Sequence, residues 1–514
     1  MRRRDLLKTA ATAAGSLALM GQVPAVDSHG RVLATGGKML LKQVAIGDST
    51  GVQASRIADM MERFGFNIYL MDAYPGTNYY GSSGNYSVTG VSTAIGWLTA
   101  NAAGTAFGSG MTMTCRLWTY QAGIGLLDLE TLAGELCNAC TYGLYYTLVA
   151  GGEPGAGNGD SIPYQISFAT DSHNGTAPLN GNAQYCCRFV EGYNEPNGLG
   201  NTPVADTVTG QQEYPASAIW NYSDVTVVGP SVTYGFPYPL GYMTPYFGSG
   251  TGSDAYAIGA ASQCYNGHLY PDRNPDFDSG DGQNGEMNSA YNVMAVAYGA
   301  TKPNVITEWH PTLANPSSSI NYNPAYDTYY TPMYILSAFR CGYQAYTWWA
   351  LLDFNTDYTG DGIWETDPTT SNPRATGYII RAMYSLTGDT GATKHTFVPG
   401  KLNYTVAGWA SSLAAGTTGT PAATAGSSNT GGQTMLFQNS SGKFFMYVWN
   451  SEANPGGTPV NVTINFATKM TSITEYNFST ITTTTPTAVQ TLSNANTITV
   501  SLAAEVHLLV IQYP

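Results

Sequence analysis

The sequence predicts an α/β fold, a (β/α)8 TIM barrel followed by a C-terminal antiparallel β-sandwich. Three observations carry that expectation. Strand-like and helix-like segments alternate over the first two thirds of the chain, the pattern of right-handed βαβ units around a parallel sheet. After about residue 395 the helices stop and period-2 strands follow one another. The chain is also far longer than one ordinary domain, and 43% of its 514 residues are hydrophobic, enough for two cores.

The chain opens Met1-Arg2-Arg3-Arg4-Asp5-Leu6-Leu7-Lys8, followed by a small-residue, mildly apolar run from Thr9 to Met20 and by Val23-Pro24-Ala25. A charged start and a short apolar stretch read as a secretory signal. The paired arginines ahead of Leu6-Leu7-Lys8 suit the twin-arginine type. The run is shorter than the ~20 residues of a membrane span, so a removable signal fits better than an anchor. We therefore expect a signal at 1–28, a barrel at 29–394 and a sandwich at 395–514. The expected location is periplasmic or secreted, with no membrane insertion once the signal is gone. Formal net charge is −14 and charged residues are only 11%. Nucleic acid and anionic membrane surfaces are therefore expected to be poor partners, since both need a basic footprint. A polar, uncharged surface with 37 tyrosines suits neutral polyols such as sugars.

Within the barrel region, Val44-Ala45-Ile46 is a short apolar run, followed by an amphipathic stretch from Ala54 to Arg63. Strand-like segments follow at 66–71, 111–120, 188–190, 225–228, 305–307 and 345–349, with helix-like stretches at 93–103 and 128–141. About eight units in some 350 residues match a (β/α)8 barrel with long insertions. The Gly/Asn/Ser-rich stretch 151–184 reads as an insertion before the fourth strand. In the second domain, 411–433 is a Thr/Ala/Gly/Ser tract, flanked by strands at 443–449, 460–466, 497–502 and 506–512. Seven cysteines, an odd number, stand at 115, 137, 140, 186, 187, 264 and 341. Cys137-x-x-Cys140 lies in a helix-like stretch and reads as buried small residues; no second Cys/His pair completes a zinc site.

Two glutamates stand just past strand ends. Arg188-Phe189-Val190 runs into Glu191-Gly192-Tyr193-Asn194-Glu195-Pro196-Asn197, and Val305-Ile306-Thr307 runs into Glu308-Trp309-His310-Pro311. Barrel chemistry sits at the C-terminal ends of strands. The pair is separated by three βα units, which places it on strands four and seven of one barrel mouth. Retaining glycoside hydrolysis needs such a pair, one carboxyl to protonate the leaving oxygen and one to attack the anomeric carbon. No metal or cofactor is then required, because the carboxylates supply acid, base and nucleophile.

Tyr193-Asn194-Glu195-Pro196-Asn197 and Thr307-Glu308-Trp309 resemble the two signatures of clan A retaining glycoside hydrolases, and with the trailing sandwich are most similar to family 39 and its relatives. The resemblance covers the barrel from about 45 to 385 and, more loosely, the sandwich. It implies that Glu195 is acid/base and Glu308 nucleophile, and that Asn194 bonds the sugar's 2-hydroxyl. Val225 to Val228 with Gly229-Pro230-Ser231 is similar to the clan's fifth strand. Gly267-His268-Leu269-Tyr270-Pro271 resembles its sixth-strand His-x-Tyr, implying sugar-site roles for His268 and Tyr270. Tyr346-Thr347-Trp348-Trp349 resembles strand eight, where the clan sets a tryptophan under the sugar; Trp349 fits better than Trp348. Arg116 is either an inward polar residue supporting Glu308 or a salt-bridged structural arginine. The stretch 151–184 and His310-Pro311 depart from the pattern.

Asp353-Phe354-Asn355-Thr356-Asp357-Tyr358-Thr359-Gly360-Asp361-Gly362 alternates oxygen ligands as a calcium loop does. Tyr358, however, stands where an EF-hand needs glycine, and position twelve is Trp364. It reads instead as the loop after strand eight. The expected activity is retaining hydrolysis of β-glycosidic bonds in a polysaccharide or oligosaccharide, with endo action suggested by the many aromatic residues. A transglycosylase on the same residues, an inverting hydrolase, and a non-catalytic carbohydrate-binding cell-surface protein are the alternatives.

Overall fold

The computed structural model describes residues 46–68, 88–98, 113–118, 126–139, 144–150, 161–196, 204–233, 254–269, 302–309, 324–352, 362–364, 368–387, 397–408, 432–450, 459–483, 485–503 and 505–514. The expected signal, Val44-Ala45, Cys140, Tyr270, the 353–361 loop and most of the 411–433 tract lie outside these residues.

Parallel strands form the barrel: β1 Phe64–Ile68, β2 Met113–Trp118, β3 Leu144–Ala150, β4 Cys187–Tyr193, β5 in two pieces (Thr226–Val228 and Val232–Thr233), β6 Tyr265–Leu269, β7 Asn304–Trp309 and β8 Tyr346–Trp348. β8 pairs back onto β1, with Tyr346 opposite Phe64, so the ring closes. The first piece of β5 pairs with β4 and the second with β6. Pro230 stands in the break, where it has no N–H to give the ladder. Helices α1 Ile57–Arg63, α2 Val88–Leu98, α3 Leu126–Ala139, α4 Ser161–Asn174, α5 Val204–Ala216, α6 Asp254–Ala260, α7 Pro324–Cys341 and α8 Ala375–Thr387 accompany the strands. Among the described residues no helix is long and apolar enough to cross a membrane.

Two expectations change. Part of the stretch 151–184 is not an insertion, because Ser161–Asn174 is the barrel helix α4. Its inward positions are Ile162, Gln165, Phe168, Ala169 and Ser172, a helical spacing hidden by the two polar members. Gln165 is tolerated there because it accepts the Tyr214 hydroxyl. The strand Leu144–Ala150 was also not read from sequence. Counting it, and starting the barrel at Phe64, still makes Cys187–Tyr193 the fourth strand and Asn304–Trp309 the seventh. Ile46 belongs to no strand and is half-exposed.

The interior of the barrel is layered. At its foot Phe189, Val228, Cys264, Val305 and Ala345 form an apolar plug. Above that plug the inward positions turn polar, which sets up the site described below. Outside the strands, Trp309 stacks on Tyr334 at 5.4 Å and meets Trp348 edge-on at 4.9 Å. Aromatic pairs of this kind add about 0.5–1.5 kcal/mol beyond the area they bury.

The second domain is one antiparallel sheet of β9 Tyr404–Ala407, β10 Gly432–Gln438, β11 Phe444–Asn450, β12 Val460–Asn477, β13 Ala488–Leu502 and β14 Val506–Gln512. β12 is long enough to pair with β9 over Thr463–Phe466 and with β14 over Ser472–Asn477. A register break between Asn465 and Met470 lets it fold over a core that includes Phe444, Met446, Val448, Val462, Ile464 and Leu509. The alternate residues of β11, namely Phe445, Tyr447 and Trp449, join the barrel's core instead, where Phe339 of α7 meets Phe437 at 5.5 Å. Both faces of β11 are therefore buried. The segment before α1, assigned to the barrel by sequence, also pairs with this domain: Val52–Gln53 with Lys401–Leu402, and Ser55–Arg56 with Phe437–Gln438.

Candidate active site

Both candidate glutamates reach the barrel mouth through irregular backbone. On β4, Phe189 and Glu191 face inward, and the register against β3 then slips at Gly192. A Cβ at Gly192 would run into Gln211 and the Pro230 backbone, so only glycine fits there. The chain turns into Asn194-Glu195, anchored by Glu195 N–H donating to Ser231 O at 2.8 Å and Ser231 N–H donating to Tyr193 O at 3.1 Å. Glu195 has φ of 45°, a left-handed conformation that a side-chain-bearing residue holds only when its surroundings dictate it.

On β7, strict alternation would send Val305 and Thr307 inward and Glu308 outward. A β-bulge changes this. Gly267 of β6 pairs with Ile306 and His268 with Glu308, leaving Thr307 as the extra residue. Thr307 and Glu308 therefore both face the interior, while Trp309 turns out to the helices. Bulges beside active sites commonly re-aim a side chain in this way.

Arg116, on β2, binds the site together. Its Nε–H donates to Glu191 Oε2 at 3.0 Å, and Nη2 donates to Glu191 Oε1 at 2.7 Å and Asn194 Oδ1 at 2.8 Å. Nη1 donates to Asn67 Oδ1 at 3.1 Å and Glu308 Oε1 at 2.5 Å. All five guanidinium N–H groups thus have acceptors. That completeness matters because the side chain is fully buried, and a buried charge persists only when paired and hydrogen-bonded. Burial alone would lower the Arg116 pKa; the carboxylates of Glu191 and Glu308 outweigh it and hold the pKa above its usual value. Asn67 is held in turn by donating to Thr307 O at 2.8 Å. The sequence left Arg116 as either support for Glu308 or a structural ion pair, and the structure shows it making both contacts.

His268 lies between the two glutamates. Its Nδ1 is 2.7 Å from Glu195 Oε1 and 3.3 Å from Glu308 Oε2, and its ring is completely buried. One ring nitrogen therefore faces both carboxyl groups. An oxygen of Glu195, an oxygen of Glu308 and a ring nitrogen of His268 all lie within 4.8 Å of one another. That donor set could also hold a divalent cation, as a carboxylate–imidazole cluster can.

Among the other expected residues, Asn194 is present at the mouth, with Oδ1 accepting from Arg116 and lying 3.3 Å from Ser231 Oγ. Among the described residues its amide nitrogen is the end left to meet a ligand. Trp348 is committed to the outer layer against Trp309, whereas Trp349 has the same parity as the inward Thr347. Tyr270 lies outside the described residues. The Cys187 and Cys264 thiols are buried, and burial pushes both pKa values up.

Glu191, Asn67, Asn266 and Thr307 were not singled out from sequence. The signal was available: each is a polar residue at an inward position of a short parallel strand that otherwise reads apolar. Thr307 Oγ1 sits 2.9 Å from Asn266 Oδ1 and 3.2 Å from Glu191 Oε1, joining three strands.

No family model matches the chain, and no curated protein matches it in sequence. Solved structures do match. The GH39 enzyme from Xanthomonas axonopodis pv. citri aligns over 90% of this chain and 96% of its own, with a TM-score of 0.52 at 10% identity. A family 51 α-L-arabinofuranosidase from Bifidobacterium longum aligns over 91% of this chain and 99% of its own, with a TM-score of 0.51 at 11% identity. A bacterial orthologue of human α-L-iduronidase aligns over 92% of this chain and 83% of its own, with a TM-score of 0.52 at 9% identity. The likeness is one of fold, a TIM barrel with an attached β-domain as in clan A glycoside hydrolases.

Proposed function

We propose that this protein is a retaining glycoside hydrolase that cleaves β-glycosidic bonds in a polysaccharide or oligosaccharide. The observation that carries the proposal is the placement of the Glu195 and Glu308 carboxylate oxygens within 4.8 Å of each other at the barrel mouth. Retaining enzymes hold their carboxyls ~5–5.5 Å apart, and inverting ones leave ~6.5–9.5 Å for a water molecule. Oxygens that approach this closely leave little room for an intervening water and support direct attack by a carboxylate. In this reading Glu195 protonates the departing oxygen while Glu308, oriented by Arg116, attacks the anomeric carbon. Glu195, now a carboxylate, then takes a proton from an incoming water, whose oxygen displaces Glu308 from the anomeric carbon and releases a sugar of unchanged anomeric configuration. In the same reading the Asn194 amide bonds the 2-hydroxyl, a contact that strengthens as oxocarbenium character develops. Trp349 offers a flat face to the sugar ring. The fold likeness to glycoside hydrolases supports a carbohydrate substrate, and two of those enzymes are named for different sugars.

A reducing-sugar assay over a panel of β-glycans, with wild type and Glu308→Ala side by side, tests the activity. Proton NMR of the first product tests the stereochemistry. Equal rates for the two proteins would sink the enzymatic reading, and an α-configured first product would replace retention with inversion.

We also propose export through the twin-arginine-type signal at residues 1–28, supported by Arg2-Arg3 and the short apolar run behind them. Cell fractionation should find the protein outside the cytoplasm, and replacing Arg2, Arg3 and Arg4 by lysine should trap it inside. Unchanged fractionation would count against that route.

A further inference from the structure

We infer that Glu191 is a positioning residue of the reaction, a buried counter-charge that keeps Arg116 from over-stabilising the Glu308 carboxylate. The inference rests on the retaining-hydrolase reading and adds a third carboxylate to it. Glu191 stands on β4, four residues before Glu195, with a side chain that is fully buried. It receives two of the five Arg116 N–H groups in a fork, at 3.0 and 2.7 Å. Glu308 receives one. A structural arginine could have been satisfied by neutral oxygens, as Asn67 and Asn194 show at the same guanidinium. A full negative charge on the far side of Arg116 does something that an amide would not.

That effect is electrostatic. A nucleophilic carboxylate must be ionised, but one facing an unshared cation in a water-poor site is held too tightly to attack. Glu191 divides the cation between two anions, so that Glu308 is oriented by a guanidinium whose charge is already balanced. The charged or titratable groups around this cluster are Arg116 on β2, His268 on β6, Glu308 on β7 and Glu195 after β4; the Tyr214 hydroxyl of α5 donates to the Glu191 backbone oxygen, at 2.9 Å. Asn266 and Thr307 complete the shell without charge. Removing the Glu191 charge therefore makes the potential at both reactive carboxyls more positive. Glu308 should then ionise at lower pH, and Glu195 should surrender its proton at lower pH.

The test is a pH profile of kcat/KM on a panel of 4-nitrophenyl β-glycosides for wild type, Glu191→Gln, Glu191→Asp and Glu308→Ala, each checked for folding by circular dichroism. For Glu191→Gln both limbs of the bell should move to lower pH, by about one unit for the loss of a charge at this range. kcat should fall on the order of 10²-fold, with KM little changed. Glu191→Asp keeps the charge but shortens the arm, so its limbs should stay in place while kcat falls less. A Gln variant that is folded and weakened but keeps both limbs in place has lost packing only, and overturns the inference. If Glu191→Gln does not fold, Glu191→Asp decides, and an unchanged kcat there overturns it. Glu308→Ala separates the two layers: if that variant is as active as wild type, the hydrolase reading itself has failed, whatever Glu191 does.

Discussion

Two histidines in this molecule each sit between two glutamates, and they are arranged oppositely. In the second domain His507 lies inside its pair, with Nδ1 2.7 Å from Glu475 Oε1 and Nε2 3.1 Å from Glu505 Oε1. Each ring nitrogen lies against a different carboxylate. The remaining oxygens are also occupied: Gln490 donates to Glu475 at 2.5 Å, and Asn477 and Ser479 donate to Glu505 Oε2 at 2.8 and 3.0 Å. In the barrel a single nitrogen of His268 faces both glutamates, and those carboxylates stand together above it. The first arrangement commits all four carboxylate oxygens to neighbours within the domain. The second crowds two acids into one space at the barrel mouth, a costly arrangement unless a substrate or a proton is to pass between them. The same residue types thus serve stability in one domain and, on our reading, chemistry in the other.

The comparison can be broken by mutation. The largest effect belongs to Glu308→Ala, expected to cut turnover by about 10⁴-fold or more while the protein stays folded, because removing one member of a catalytic unit disables the whole. Steady-state assays with a melting curve check both halves. Next is His268→Gln, which keeps both glutamates but loses the ring nitrogen they share; kcat should drop on the order of 10²-fold. A rate within a factor of two of wild type would show that the histidine does not hold the pair.

His507→Gln should do the reverse, leaving kcat of the folded enzyme unchanged and destabilising the protein. Breaking a buried pair by removing one partner costs roughly 3–5 kcal/mol, read from denaturant titration. A fall in kcat matching that of His268→Gln would erase the distinction. The smallest effect is on pH dependence. Burial alone would lower the His507 pKa, but Glu475 and Glu505 outweigh it and raise it above 6.5. That contribution is complete below pH 6.5 and is lost as pH rises through the folded value. Burial alone would raise the Glu505 pKa, but His507 and Asn477 outweigh it and bring it down to about 2. Its contribution is complete above 4.5 and is lost as pH falls towards about 2. Stability from this cluster should therefore form a plateau between pH 4.5 and 6.5, falling off on both sides, and His507→Gln should flatten the alkaline shoulder.

Much of the fold was legible because it is written in local pattern. Strands ending in Tyr193-Asn194-Glu195-Pro196 and Thr307-Glu308-Trp309 announce themselves by composition, and β11 by its unbroken apolar run. α4 was not legible, since Gln165 and Ser172 occupy inward positions whose polarity makes sense only beside Tyr214 and the Cys187 backbone. Arg116 could be noticed but not assigned, because its partners are 49, 75, 78 and 192 residues away in the chain.

The sequence by itself determined the alternation that makes a barrel and the strand ends that carry the two glutamates. Only the tertiary structure decided that Thr307 is an inserted bulge residue, and hence that Glu308 points inward against simple alternation. It alone showed that Trp348 is spent against Trp309, that Glu191 shares Arg116 with Glu308, and that residues 52–56 pair with the second domain. The reason is physical. A period of two residues fixes a side chain's direction only until one residue is inserted, and the partners of a buried charge are chosen by ring closure, which brings together strands that local pattern treats as independent.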